Sequence, residues 1–198
     1  MGSHMRRTLS ALAAAACLAA SPAAARDVEA GRARAEPCMA CHGAEGIAAD
    51  PTVPSLAGQR ERYLQWQLVF FRSGRRSNQV MNALAAELSD EELRNLGAYF
   101  ASLPRAQPPP GPPDPDRHAA GKQAAARHRC SNCHMDNYAG SQAAPAIAGQ
   151  TRAYTAKALR DYRADARPSV GVAAMNEAAR GLSDADIAAI AVFLERPE

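Results

Sequence analysis

Aromatic residues make up only 5% of this chain. That is few for a carbohydrate cleft, which stacks sugars on rings, or for a β-sandwich core. Charge of one sign is missing as well: 23 Lys and Arg oppose 20 Asp and Glu, and no basic block forms a nucleic-acid footprint. The N-terminal apolar run LSALAAAACLAA falls short of the ~20 residues a membrane span needs. Cysteine is sparse and confined: Cys17 stands alone, and the other four form pairs at 38/41 and 130/133. What fills the space is alanine, the strongest helix former.

The short apolar run has its own explanation. Arg6 and Arg7 precede it, and Ala23 and Ala25 follow with the small-x-small spacing of a signal-peptidase site. Residues 1–25 are therefore expected to be an expression scar plus a signal peptide. The first four residues form the scar, Met5 is the native start, and cleavage follows Ala25. A lipoprotein anchor at Cys17 would want a bulky aliphatic three residues earlier, where Ala14 stands. Export to an oxidising compartment, a bacterial periplasm, is the expectation.

The remainder is written twice. Cys38, Cys41 and His42 return as Cys130, Cys133 and His134, an offset of 92. PSLAGQRERYLQWQL from Pro54 returns as PAIAGQTRAYTAKAL from Pro145, offset 91, and the text from Met81 returns from Met175, offset 94. Between the copies LPRAQPPPGPPDPDR carries seven prolines, a stiff extended connector. The expected organisation is one unit at 26–103, a linker at 104–114 and a second unit at 115–198. At roughly 80 residues each unit has a modest core and would gain from a bound group.

The fold class is all-α. Helices are expected at Val28–Glu36 and Arg117–His128 before each cysteine motif, and at Arg60–Phe71 and Arg152–Ala164 after each AGQ. Each unit closes on a helix. Ser89 and Glu92 form a capping box ahead of Leu93, Leu96, Phe100 and Leu103, and Ser183 and Asp186 precede Ile187, Ile190 and Leu194. No convincing strand is present.

Four cysteines in an exported chain suggest disulfides first. Disulfides, however, do not explain a histidine after each pair. A redox dithiol expects a βαβ context, and a closed zinc site is awkward with histidine directly after the second cysteine. Covalent haem uses all three residues: two thiols bond one edge of the porphyrin and the next residue turns its imidazole to the iron. A sixth ligand is expected from Met81 and Met175, which stand 39 and 41 residues after the histidines; both are followed by Asn and precede an LSD helix start by seven. Thioether sulfur favours reduced iron. Met39 and Met135 lie too close to the motifs to reach the opposite face, and His118 and His128 lack counterparts. The carbonyls of Pro54 and Pro145 are candidates to take the ligand Nδ1 proton. Gly58 and Gly149 permit an unusual turn or a close approach to the ring. Tyr63, Tyr154, Trp66, Phe70, Phe71 and Tyr162 line haem edges or the core, and Arg75, Arg76 and Arg167 are candidates to neutralise propionates.

On these residues, CMACHGAEG, PSLAGQRERYLQWQLVFFRSGRR and Met81, then CSNCH, PAIAGQTRAYTAKALRDYRAD and Met175, the chain resembles the dihaem cytochromes of the c4 type. The resemblance covers essentially everything after the signal. It implies two class I cytochrome c domains about a pseudo-twofold axis, with propionate edges facing each other across the interface. It also implies two c-type haems, on Cys38, Cys41, His42 and Met81 and on Cys130, Cys133, His134 and Met175. Members carry electrons in the periplasm, often near the membrane, toward terminal oxidases, while related modules accept electrons from sulfide- or thiosulfate-oxidising enzymes. One departure is expected to alter a loop: Met135, Asp136, Asn137 and Tyr138 replace the GAEG after the first histidine.

The expected function is electron transfer without turnover and without catalytic residues, through weak contacts with redox partners. A haem peroxidase would need an open sixth site, against which Met81 and Met175 argue. A sensor would be coupled to an output domain, for which the two units leave no room.

Overall fold

In the computed structural model residues 26–105, 114–142, 144–169 and 174–197 are described. The expected signal, 1–25, and most of the proline-rich connector, 106–113, lie outside the described residues.

Ten helices form among the described residues, five in each half. The first half holds α1 (Val28–Arg34), α2 (Glu36–His42), α3 (Glu61–Arg72), α4 (Gln79–Ala86) and α5 (Asp90–Ser102). The second repeats the order as α6 (Pro115–Arg127), α7 (Ser131–His134), α8 (Arg152–Arg163), α9 (Ala174–Arg180) and α10 (Asp184–Glu195). The described residues contain one isolated bridge, between Ser141 and Ala144, and no strand.

The helix expected at Val28–Glu36 stops at Ala35, and a new one starts with Pro37 in its first turn. Proline has no N–H to continue the first helix but suits the opening turn of the next. The helix expected from Arg117 begins earlier, at Pro115, because the Asp114 side chain accepts from the Arg117 amide at 3.0 Å. Short helices α4 and α9, which carry Met81 and Met175, are additions to the expected set. At α5 the Ser89–Glu92 box is complete. At α10 the Ser183 hydroxyl accepts from the Asp186 amide, but the shorter Asp186 carboxylate takes the Ser183 hydroxyl, not its backbone N–H.

Each half packs its first and last long helices across each other, α1 on α5 and α6 on α10. A glycine sits at each crossing. A Cβ on Gly31 would lie 2.1 Å from the Asn95 carbonyl oxygen, and one on Gly121 would lie 2.1 Å from that of Ala189. The cores follow the expected faces: Leu64, Leu93, Leu96 and Phe100 in one half, Ile187, Ile190, Phe193 and Leu194 in the other. Each such buried side chain contributes about 1.5–3 kcal/mol.

The halves meet through loops and side chains. Gln59 binds both backbone groups of Ala146, donating to its carbonyl and accepting from its amide, each at 2.8 Å. Gln150 treats Ser55 the same way, each bond 3.0 Å. Positions 59 and 150 are equivalent under the sequence repeat, as are 55 and 146, so the contact is two-fold in character.

Candidate haem sites

Helix α2 carries Cys38, Cys41 and His42. Residues three apart share a helix face, so the two thiols stand side by side one turn apart. Neither is in a disulfide; Cys38 is half-buried against the core and Cys41 is exposed. Burial pushes the Cys38 thiol up, although Arg34 works against it. In the second half Cys130 and Cys133 repeat this pattern, Cys130 half-buried with its pKa raised by burial and Cys133 exposed.

The histidines turn inward, His42 7% exposed and His134 5%. His42 Nδ1 lies 2.8 Å from the Pro54 carbonyl oxygen, and His134 Nδ1 lies 2.8 Å from that of Pro145. A carbonyl only accepts, so Nδ1 carries the proton and Nε2 keeps a free lone pair, the form that coordinates metal. Burial lowers the pKa of both imidazoles, while the proline carbonyls pull the other way. Arg76 also presses His42 toward neutrality, which places that cation near the first site. The proline role read from spacing is thus present at both sites with one geometry.

Met81 is half-buried in α4, its amide donating to the side chain of the N-cap Asn78 at 2.9 Å. Met175 packs with Cys130 against the second core. Met39 packs on the first core, and Met135 is half-exposed. The other two histidines among the described residues have structural work. His118 Nε2 meets the Arg196 carbonyl at 2.9 Å and stacks edge-on against Phe193, and His128 lies 3.6 Å from Asp186. Among the described residues no group of three or more His, Cys, Asp or Glu side chains is placed to hold a metal ion.

The loop after His134 keeps its backbone path despite losing its glycines. Met135 adopts φ 68 and ψ 163 where Gly43 has φ 83 and ψ 155. Tyr138 adopts φ 55 where Gly46 has 72, and its carbonyl accepts from Ile147 and Ala148 as Gly46 accepts from Leu56 and Ala57. The expected change of loop is therefore a change of strain: ordinary side chains stand in glycine territory. Gly58 and Gly149 show the expected positive φ, 64 and 73.

Beside the glutamine clasp lies a second set of contacts between the halves. Arg167, 2% exposed, donates to Tyr63 across the seam at 2.5 Å, to Gln67 at 3.0 Å and to its own half's Tyr154 at 3.1 Å. Arg76 reaches back to Tyr154 at 3.3 Å and shares the Gln67 carbonyl oxygen at 2.5 Å. Arg167 also stacks on Tyr162 at 4.7 Å. Burial alone would raise the Tyr154 phenol, but Arg167 and Arg76 overrule it and bring its pKa to about 8. Burial pushes Tyr63 and Tyr162 up. Of the other candidates, Phe70 and Phe71 are core residues under Arg75 and Arg76, and Trp66 is exposed against Phe70.

Two like charges converging on one amide oxygen, with no carboxylate partner among the described residues, form a site that suits anions. Arg167 Nε and Gln67 Nε2 are both buried without a hydrogen-bond partner, two donors that lack acceptors. The carboxylates of haem propionates fit that need. The roles of the seam glutamines and of Gln67 are not among those expected from the sequence. For Gln59 and Gln150 the signal was there, because AGQ is repeated intact; Gln67 has Ala158 at its equivalent position and gave none.

Two family models match, one in each half. The model described as cytochrome c oxidase, cbb3-type, subunit III covers residues 26–100, and the model described as cytochrome c covers 118–196. Cytochrome c4 of Pseudomonas aeruginosa is 38% identical over 182 residues, spanning 87% of this chain and 89% of that protein. A thiosulfate dehydrogenase electron acceptor of Thiomonas intermedia is 32% identical, spanning 96% and 90%. The crystal structure of reduced cytochrome c4 from Pseudomonas stutzeri superposes with a TM-score of 0.80 at 32% identity, covering 86% of this chain and 98% of that one. Duplicate helical halves, paired CxxCH helices and relatives matched along nearly their whole length place this chain in the cytochrome c4 family, as a periplasmic electron carrier with two covalently bound c-type haems.

Proposed function

We propose that Cys38, Cys41, His42 and Met81 hold the first haem and Cys130, Cys133, His134 and Met175 the second, and that the chain passes single electrons from respiratory donors to a terminal oxidase. The observation that carries this reading is the repeated bond from histidine Nδ1 to a proline carbonyl, 2.8 Å in both halves. Bound haem supplies a one-electron ferric–ferrous couple. The cysteine thiols would hold the haem through thioether bonds, and His42 and His134 would offer Nε2 to its metal. The Pro54 and Pro145 carbonyls hold the imidazoles in one orientation and raise their basicity. Met81 and Met175 would supply a soft thioether donor to the metal and so keep small molecules off it. Arg76 and Arg167, with the unpartnered donors beside them, would supply positive charge for the propionates at the seam. The match of the first half to an oxidase-subunit model supports an oxidase as acceptor.

Redox titration of the mature holoprotein with spectra recorded throughout tests this. Two one-electron transitions are expected, with the methionine-to-iron band at the red end of the ferric spectrum. Met81→Ala and Met175→Ala should each remove that band from one haem only. If neither change alters the band, the ligand assignment is wrong.

A second reading has support of its own. The similarity to a thiosulfate dehydrogenase electron acceptor favours a thiosulfate-oxidising enzyme as the donor. Reduction of the ferric protein by such an enzyme with thiosulfate, followed in a stopped-flow cell, separates this donor from respiratory ones.

A further inference from the structure

The methionine in each half is followed by asparagine, and electron transfer by itself gives that pairing no role. Asn82 donates through Nδ2 to the carbonyls of Phe71 at 2.6 Å and Arg76 at 2.9 Å. Its Oδ1 accepts from the Asn78 amide at 2.7 Å, and Asn78 in turn caps the amide of Met81. Asn176 repeats this at equivalent positions, donating to the carbonyls of Tyr162 at 3.1 Å and Arg167 at 3.0 Å. Its Nδ2 also serves Asp165 Oδ1 at 3.0 Å, so two hydrogens are shared among three acceptors. Its Oδ1 accepts from the Ser169 hydroxyl at 2.6 Å, and the Ser169 oxygen accepts from the amides of Met175 at 3.1 Å and Asn176 at 3.2 Å.

The capping residue thus differs between halves, Asn78 in one and Ser169 in the other, while the asparagine and its two carbonyl targets are the same. One of those targets is in each case the arginine that meets the other half at the seam. A simple helix cap needs no such second attachment.

We infer that Asn82 and Asn176 are positioning residues for the sixth iron ligand, each tying the backbone beside its methionine to the loop that carries the seam arginine. The inference rests on the methionine ligation proposed above. Its physical content is that a thioether is a weak ligand to ferric iron, so the stiffness of its backbone sets how readily another ligand displaces it. Asn176 and Ser169 are buried, 8% and 7% exposed, whereas Asn82 is only half-buried and has fewer partners. Met175 is therefore held more firmly than Met81.

Imidazole titrated into the oxidised dihaem protein measures this directly, with the red-end methionine band as readout. The unsubstituted protein should bind imidazole in two steps, the Met81 site first. Asn82→Ala should tighten imidazole binding at the first haem by about tenfold, the scale of losing one or two hydrogen bonds, and leave the second step in place. Asn82→Ser, which restores one donor, should fall between. Asn176→Ala should move the second step, and if it fails to retain haem, Ser169→Ala reports on the same segment with Asn176 intact. A purely structural role would lower the unfolding temperature of these variants and leave both imidazole steps where they were; that result overturns the inference. A protein with no methionine band before any substitution rejects the ligand assignment itself, a separate failure.

Discussion

Gln59 holds Ala146 by both backbone groups, and Ala146 directly follows the proline whose carbonyl orients His134. Gln150 does the same to Ser55, which follows Pro54. The residue that fixes each imidazole is therefore one peptide away from the grip of the other half, so the seam and the two sites share a backbone.

Gln59→Ala removes both bonds and leaves the buried Ala146 amide and carbonyl without partners. A loss of roughly 2–4 kcal/mol is expected, measured by thermal unfolding of the holoprotein. Gln150→Ala should cost less, about 1–2 kcal/mol, because its bonds are longer and only part-buried.

Arg167→Gln takes away a buried cation that faces both halves. A nearby positive charge disfavours the ferric state, so the potential of both haems should fall. A shift on the order of 60 mV, a tenfold change in a one-electron equilibrium, is the expected scale. Spectroelectrochemical titration checks this, and a shift confined to one haem would show that Arg167 serves that half alone.

Met135→Gly should stabilise the second half. The native residue sits at φ 68 and ψ 163, a region that only glycine enters without cost, and its side chain is half-exposed with little packing to lose. The gain should be about 1 kcal/mol, read as a higher midpoint in denaturant with an unchanged slope.

Acid should weaken both halves through matching ion pairs. Arg72 at 2.5 Å from Asp90, and Arg163 at 2.6 Å from Asp184, hold those carboxylates below their ordinary range by hydrogen bonding and charge. A depressed folded pKa stabilises above the unfolded value, and that contribution is lost as pH falls through the folded one. The pairs are solvent-exposed, so the effect is small and screened by salt. Asp90→Asn combined with Asp184→Asn should flatten the acid limb of the stability–pH curve at low salt.

The cofactor chemistry was legible because it is local. Cys38, Cys41 and His42 fall within five residues, and Met81 and Pro54 keep their spacing in the copy to within two residues. The long helices were legible from apolar faces such as Leu93, Leu96 and Phe100. The rest depends on contacts between distant residues. Gly31 looks like a poor helix residue until Asn95 is seen against it, and Arg167 looks like a surface charge until Tyr63 and Gln67 enclose it. Helices α4 and α9 are short and held by Asn82 and Asn176 to the preceding loops, so their own periodicity is too brief to announce them.

Gln67 answers both seam arginines, while the second half offers Ala158 at the matching place. Two separate copies of one gene product, joined as a dimer, would have to carry the same residue on both sides of the axis. Fusion into a single polypeptide lifts that restriction, because each half accumulates substitutions by itself. The two halves then need not be twins, and the surroundings of one histidine are free to drift away from those of the other.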